Sequence, residues 1–202
     1  MPTRRYLTTA LCAEETTLVV AGGVGEGNRL LTTVEVMLME NRQWSTAASL
    51  PLPLTRCSTT LLGGHVYLLG GLTVNVSSWR VLSCSLRRLM ESASGGRRRD
   101  GVRTCDIWNN TLADLPVCDS TCVAFRGALL AIGGRDEQYN PTAAVHRYIP
   151  ETNIWEVVSH MEQRRYQCFA VVVPNSCQIM VVGGAVRKYP RFACTSEVEV
   201  TV

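Results

Sequence analysis

A chain of 202 residues, 46% apolar and 18% charged, has the composition of a folded domain and not of a disordered one. No apolar stretch is long enough to span a bilayer, and the opening MPTRRYLTTALC lacks the apolar core of a secretory leader, which predicts a cytoplasmic protein. The net charge of +3 comes from nineteen arginines and a single lysine, Lys188, a bias toward planar pairing with carboxylate or phosphate.

The first element is an arginine segment, Arg4-Arg5-Tyr6, running into a strand near 5–12. Leu18–Gly23 follows, four apolar residues ending in the pair Gly22-Gly23. An unbroken apolar run of strand length fits a strand covered on both faces, and the glycines give a sharp exit with no Cβ to clash. Val34-Glu35-Val36 marks a third strand near 32–39, and Glu40-Asn41-Arg42 makes a turn into a fourth near 43–49, which carries Trp44.

This plan repeats. The glycine pair returns as Gly70-Gly71, Gly133-Gly134 and Gly183-Gly184, at intervals of 48, 63 and 50 residues. Four units result, each read as strands a, b, c and d, with b ending on the glycine pair. They span 5–49, 56–114, 120–160 and 165–202 of a single domain, 1–202. Strand a falls near 56–62, 120–126 and 165–173 in the later units, c near 79–86, 143–148 and 195–202, and d near 106–114 and 154–160. The second unit carries an insertion, 87–103, that begins as a short helical turn and ends in the arginine-rich stretch 97–103. In the third unit Pro150–Asn153 turns into the strand of Trp155. The fourth has no strand d and no tryptophan. MEQRRYQCFAV at Met161–Val171 matches MPTRRYLTTAL at the start, offset by 160. Buried strands in four copies imply small sheets stacked on one another, and a period near fifty suits a four-stranded blade.

Four glycine pairs in register with Trp44, Trp108 and Trp155, and with Tyr148 before the third turn, resemble the kelch repeat family over nearly the whole chain. The resemblance implies an all-β, kelch-type β-propeller of about four blades, the last incomplete, with open or non-standard closure. It implies that the glycine pair closes strand b and that the tryptophan packs between blades. The chain departs from the pattern at Met37, which stands where Tyr148 does. It departs also at Asp119-Ser120, read as replacing the arginine of Arg5, Arg56 and Arg165.

Antiparallel pairing puts the d–a and b–c connections at one rim. Arg5, Arg29, Arg56, Arg135, Arg165, Arg187, Lys188 and Arg191 gather there, with Tyr139 and Tyr189 beside them and few carboxylates among them. Such a rim suits bidentate capture of an acidic peptide segment. Arg5, Arg56 and Arg165 recur with the repeat, so a bracing role is equally in view for them. Arg187, Lys188, Tyr189 and Arg191 lie outside the repeat and are the better contact candidates.

Chemistry of other kinds finds little support. Only His65, His146 and His160 are present, without metal-ligand spacing, and Gly22–Gly27 misses the phosphate-loop pattern. Nine cysteines, an odd number with no CxxC, read as reduced buried thiols. No metal, cofactor or membrane partner is expected, and nucleic acid is disfavoured because Arg97-Arg98-Arg99 lacks stacking aromatics. The reading is a non-catalytic protein-interaction module. Many kelch proteins are substrate receptors of cullin-type ubiquitin ligases, so the resemblance extends to that adaptor role if recruiting domains lie upstream. Self-association through open blade edges is also expected. The alternative is a propeller enzyme or carbohydrate-binding protein with an axial site.

Overall fold

The computed structural model describes residues 1–74, 76–94, 107–110, 112–186, 194–195 and 198–201, with backbone alone for 76 and 199–201. Contacts divide the chain into two compact units. Met1–Ser78 with Leu82–Thr111 form the first, and Trp79–Val81 with Leu112–Val202 form the second.

The first unit opens with a four-stranded antiparallel sheet in chain order, β1 (Thr9–Ala13), β2 (Thr17–Ala21), β3 (Val34–Leu38) and β4 (Gln43–Ala47). A second sheet joins β5 (Ser58–Leu62), β6 (His65–Leu69) and β9 (Val81–Ser85). Between β6 and β9 the chain makes a small hairpin, β7 (Leu72–Thr73) and β8 (Val76–Ser77). The helix expected at the insertion is α1, Leu86–Ala93. Its spacing of Leu86, Leu89, Met90 and Ala93 gives one apolar face, which joins the core formed by the two sheets. Ser92 Oγ secures the helix by accepting from Ala48 N at 2.9 Å.

The second unit repeats the plan. Here β10 (Thr121–Phe125), β11 (Ala128–Ile132), β12 (Ala144–Ile149) and β13 (Ile154–His160) make four strands, and β14 (Phe169–Val172), β15 (Ile179–Val182) and β16 (Val198–Thr201) make three. Every pairing is antiparallel and sequential, the meander that a propeller blade requires. This is the all-β, partial kelch-type propeller architecture that the sequence predicts. No described helix is long and apolar enough to cross a membrane.

Three local readings change. Strands a start three or four residues later than expected in the first and last copies. The preceding Leu7 and Gln167 adopt left-handed φ values of 50° and 52°, which end the extended run. Around 107–110 no strand d forms, and Asn109 alone bridges to Ser83. Trp108 turns inward there and its indole donates to Ala48 O at 3.2 Å. Of the three spaced tryptophans only Trp108 is fully buried; Trp44 and Trp155 are half-buried on strands d.

The glycine pairs do two different jobs. The second glycine holds its own blade together: a Cβ would sit 2.9 Å from Tyr6 O at Gly23, 2.6 Å from Thr55 O at Gly71, 2.7 Å from Cys118 O at Gly134 and 2.9 Å from Tyr166 O at Gly184. The first glycine lets the next blade's chain cross. A Cβ on Gly22 would overlap Leu54 O, and one on Gly133 would overlap Arg165 O. Those carbonyls accept from Gly23 N at 2.7 Å and Gly134 N at 2.8 Å. All eight glycines have positive φ, which a Cβ resists.

Candidate rim site

Beyond the strands, single bridges carry each meander up to the rim. Tyr6 pairs with Val24 and Val24 with Leu30. Cys118 pairs with Arg135 and Arg135 with Pro141. Thr55 pairs with Leu72, Tyr166 with Ala185, and Ala185 with Cys194. These bridges set the true equivalence of the four copies. Tyr6, Thr55, Cys118 and Tyr166 correspond, so Leu54 and Val117 stand where Arg5 and Arg165 stand. Arg56 corresponds instead to Leu7, Asp119 and Gln167. All four of these residues are left-handed, with φ near 50–55°. The expected grouping of Arg56 with Arg5 and Arg165, and the reading of Asp119-Ser120 as its replacement, are therefore corrected by two positions.

That correction separates the rim arginines by role. Arg5 is a brace: its side chain is fully buried, and Nη1 donates to Gly22 O at 2.9 Å and Thr33 O at 3.0 Å. Nη2 meets Glu35, a carboxylate set between Val34 and Val36 on the buried strand β3. Arg165 repeats the brace, with Nη1 donating to Gly183 O at 3.2 Å and the residue 1% exposed. Both were contact candidates from sequence, and neither side chain faces solvent. Glu35 was not singled out at all. An acid inside an apolar strand triplet is the signal that could have found it, since such a charge needs a buried cation.

In the first unit the exposed rim is Leu7, Arg56, Tyr6, Asn28 and Arg29. Arg56 N donates to Leu7 O at 3.0 Å, and Thr55 Oγ1 donates to the same oxygen at 2.6 Å. Tyr6 Oη donates to Asn28 Oδ1 at 2.8 Å, tying the a segment to the b–c loop. Arg4, Arg29 and Arg56 are exposed and form no ion pair among the described residues.

In the second unit Arg135 is drawn inward. It pairs with the buried Asp119 carboxylate, and its guanidinium carbon lies 5.1 Å from the Tyr139 ring centre and 5.0 Å from that of Tyr166. Burial, aided by Asp119 and opposed by Arg135, pushes the Tyr166 phenol above its ordinary value, so it stays a neutral donor. The b–c loop is held by Asp136 Oδ1, which accepts from Gln138 N at 3.0 Å and Asn140 N at 2.8 Å. Tyr139 at its tip has φ 60° and is 41% exposed. Sequence reading placed Arg135 and Tyr139 together correctly but did not give Arg135 its carboxylate. Arg164 is exposed nearby. Arg187, Lys188, Tyr189, Arg191 and the arginine stretch 97–103 lie outside the described residues.

Among the described residues no group of three His, Cys, Asp or Glu side chains is placed to hold a metal.

Residues 116–162 match the family model described as Kelch motif. Across 85% of the chain the sequence is 28% identical to Kelch-like protein 38 of Mus musculus, and the match covers 35% of that protein. Across 78% it is 26% identical to Kelch-like protein 36 of Mus musculus, covering 24% of it. The chain thus spans about a third or less of the length of these relatives.

Proposed function

The chain belongs with the kelch repeat proteins, and from that premise we propose that it is a non-catalytic protein-interaction module whose rim takes an acidic segment of a partner. The observation that carries this is the division of the rim arginines. Arg5, Arg135 and Arg165 are turned inward onto Glu35, Asp119 and a glycine carbonyl, which builds a rigid rim. Arg29 and Arg56 in the first unit, and Arg164 in the second, remain in water without an ion pair among the described residues. Guanidinium groups held on short, strained loops lose little freedom on meeting a carboxylate. Left-handed non-glycine residues at Leu7, Arg56, Asp119 and Gln167 mark the same rim, and strain of that kind gathers at binding sites.

Arg187, Lys188, Tyr189 and Arg191 extend the proposal into the last b–c loop. The ubiquitin-ligase adaptor role follows as part of the same proposal, for a cytoplasmic protein in which this chain is the substrate-recognition portion.

The test is a fluorescently labelled glutamate-rich peptide titrated against the full chain. Arg29→Glu with Arg56→Glu, and separately Arg187→Glu with Lys188→Glu, are expected to weaken binding about tenfold or more, as is 0.5 M salt. Binding indifferent to both reversals and to salt would overturn the proposal, as would a glycan ligand with no peptide binding.

A further inference from the structure

One contact occurs twice at the ends of the outer strands. Trp108 Nε1 donates to Ala48 O, four residues beyond Trp44. Trp155 Nε1 donates at 3.1 Å to Ala113 O, five residues beyond Trp108. Ser159, four beyond Trp155, is the third member of that series, yet the sequence holds no tryptophan after Trp155. What stands at Ser159 is a cavity of about 270 Å³ in the second unit, lined by Leu130, Val145, Val158 and Ile179, with Arg126 and Arg147 beside them.

The first unit shows what fills such a space. The matching strand positions there, Val19, Val34, Ala47 and Val66, are buried in one cluster with Leu86, Leu89, Ile107 and Trp108. A helix face and an indole occupy the groove. In the second unit the corresponding core holds only strand residues, the adjoining residue Met161, and apolar neighbours of the a strands and of the segments next to them. The three-stranded sheet offers the second half of the site. Strand β16 has β15 on one side and no strand on the other among the described residues, whereas β3 and β12 each have an outer partner.

We infer that this groove is a docking site for an extended segment of a separate partner chain. The segment pairs with β16 as a fourth strand and seats a tryptophan in the cavity, its indole donating to Ser159 O. Backbone pairing at a sheet edge supplies affinity, and the cavity selects the aromatic side chain. Arg126 and Arg147 favour an acidic residue beside that tryptophan. The site is separate from the arginine rim, so rim charge reversals leave it unchanged.

A suitable probe is a fluorescein-labelled peptide with the sequence of Asn153–Met161, an outer strand of this same fold. Its anisotropy is titrated with the full chain, and the peptide is compared with a version carrying alanine in place of its tryptophan. Val158→Trp, a substitution at a residue 45% exposed, fills the cavity from within, and a thermal melt checks that the variant stays folded. Saturable binding, weakened about tenfold or more by the alanine peptide and again by Val158→Trp, supports the inference. Four results would overturn it. Absence of binding is one, and equal binding of the two peptides is another. A third is competition by N-acetyltryptophanamide as strong as by the peptide, which would make the cavity a small-molecule site. The last is a dimer in light scattering that Val158→Trp dissociates, which would assign the groove to a second copy.

Discussion

Arg5 Nη2 stands 3.1 Å from Glu35 Oε2, and neither side chain reaches solvent. Glu35 also accepts from Thr3 N at 3.0 Å and from Thr3 Oγ1, so one carboxylate ties the chain start to strand β3. Removing one charge strands the other in the core. Glu35→Ala is therefore expected to cost about 3–5 kcal/mol in urea denaturation. Replacing both members, Arg5→Met with Glu35→Leu, should cost less than Glu35→Ala alone, because no unpaired charge remains. A single variant within about 1 kcal/mol of the parent would show that the pair is not the brace described.

At the strand position of Glu35 the second unit carries His146, 7% exposed, with Nδ1 lacking a hydrogen-bond partner among the described residues. Burial first, and then the charge of His160, hold its pKa below the ordinary value. The folded state thus favours the neutral ring, and the unfolded chain takes up the proton first as pH falls below about 6.5. Stability from this group is complete above that pH and is lost as pH falls through the interval down to the folded pKa. His146→Gln should flatten the acid-side decline in stability between pH 7.5 and pH 5.5. An unchanged slope would assign that decline to other groups.

Thiol chemistry should follow burial. Burial pushes the Cys57 thiol up to about 12 and raises Cys122 as well, so both remain protonated and unreactive near neutral pH. Cys12, Cys177 and Cys194 are exposed. Iodoacetamide with peptide mass analysis is expected to mark these three on the native chain, and Cys57 and Cys122 only in urea. Early labelling of Cys57 would mean that the interface between the first two sheets opens readily.

Much of this fold could be read from the chain because the repeat imposes it. Four apolar runs closed by glycine pairs gave the b strands, and the turns at Glu40–Arg42 and Pro150–Asn153 gave the outer hairpins. The rim was harder to read. Arg56 resembles Arg5 in its letters and in its place before a strand, yet the bridge from Thr55 to Leu72 aligns it with Leu7. Local spacing does not report such a shift, since a loop absorbs one or two residues without disturbing the strands. The partners of Arg5 and Arg135 lay 30 and 16 residues away, and only the sheet register brings them together. Helix α1 was visible only as a turn, because its apolar face makes sense only against β3 and β4.

One backbone crossing links successive blades: the chain of the next blade passes over the first glycine of the pair. Gly22 has φ 61° and lies under Leu54 O, whereas Gly183 has φ 66° and a Cβ added there would lie 3.7 Å from its nearest described neighbour, Thr195 O. Both alanine substitutions carry the left-handed penalty of about 1–2 kcal/mol. Gly22→Ala adds an overlap with backbone that cannot turn aside, a further cost of about 1–3 kcal/mol. Urea denaturation of the two variants is the most direct test. Gly22→Ala should lose clearly more stability than Gly183→Ala, and equal losses would contradict the stacking of successive blades through their glycine exits.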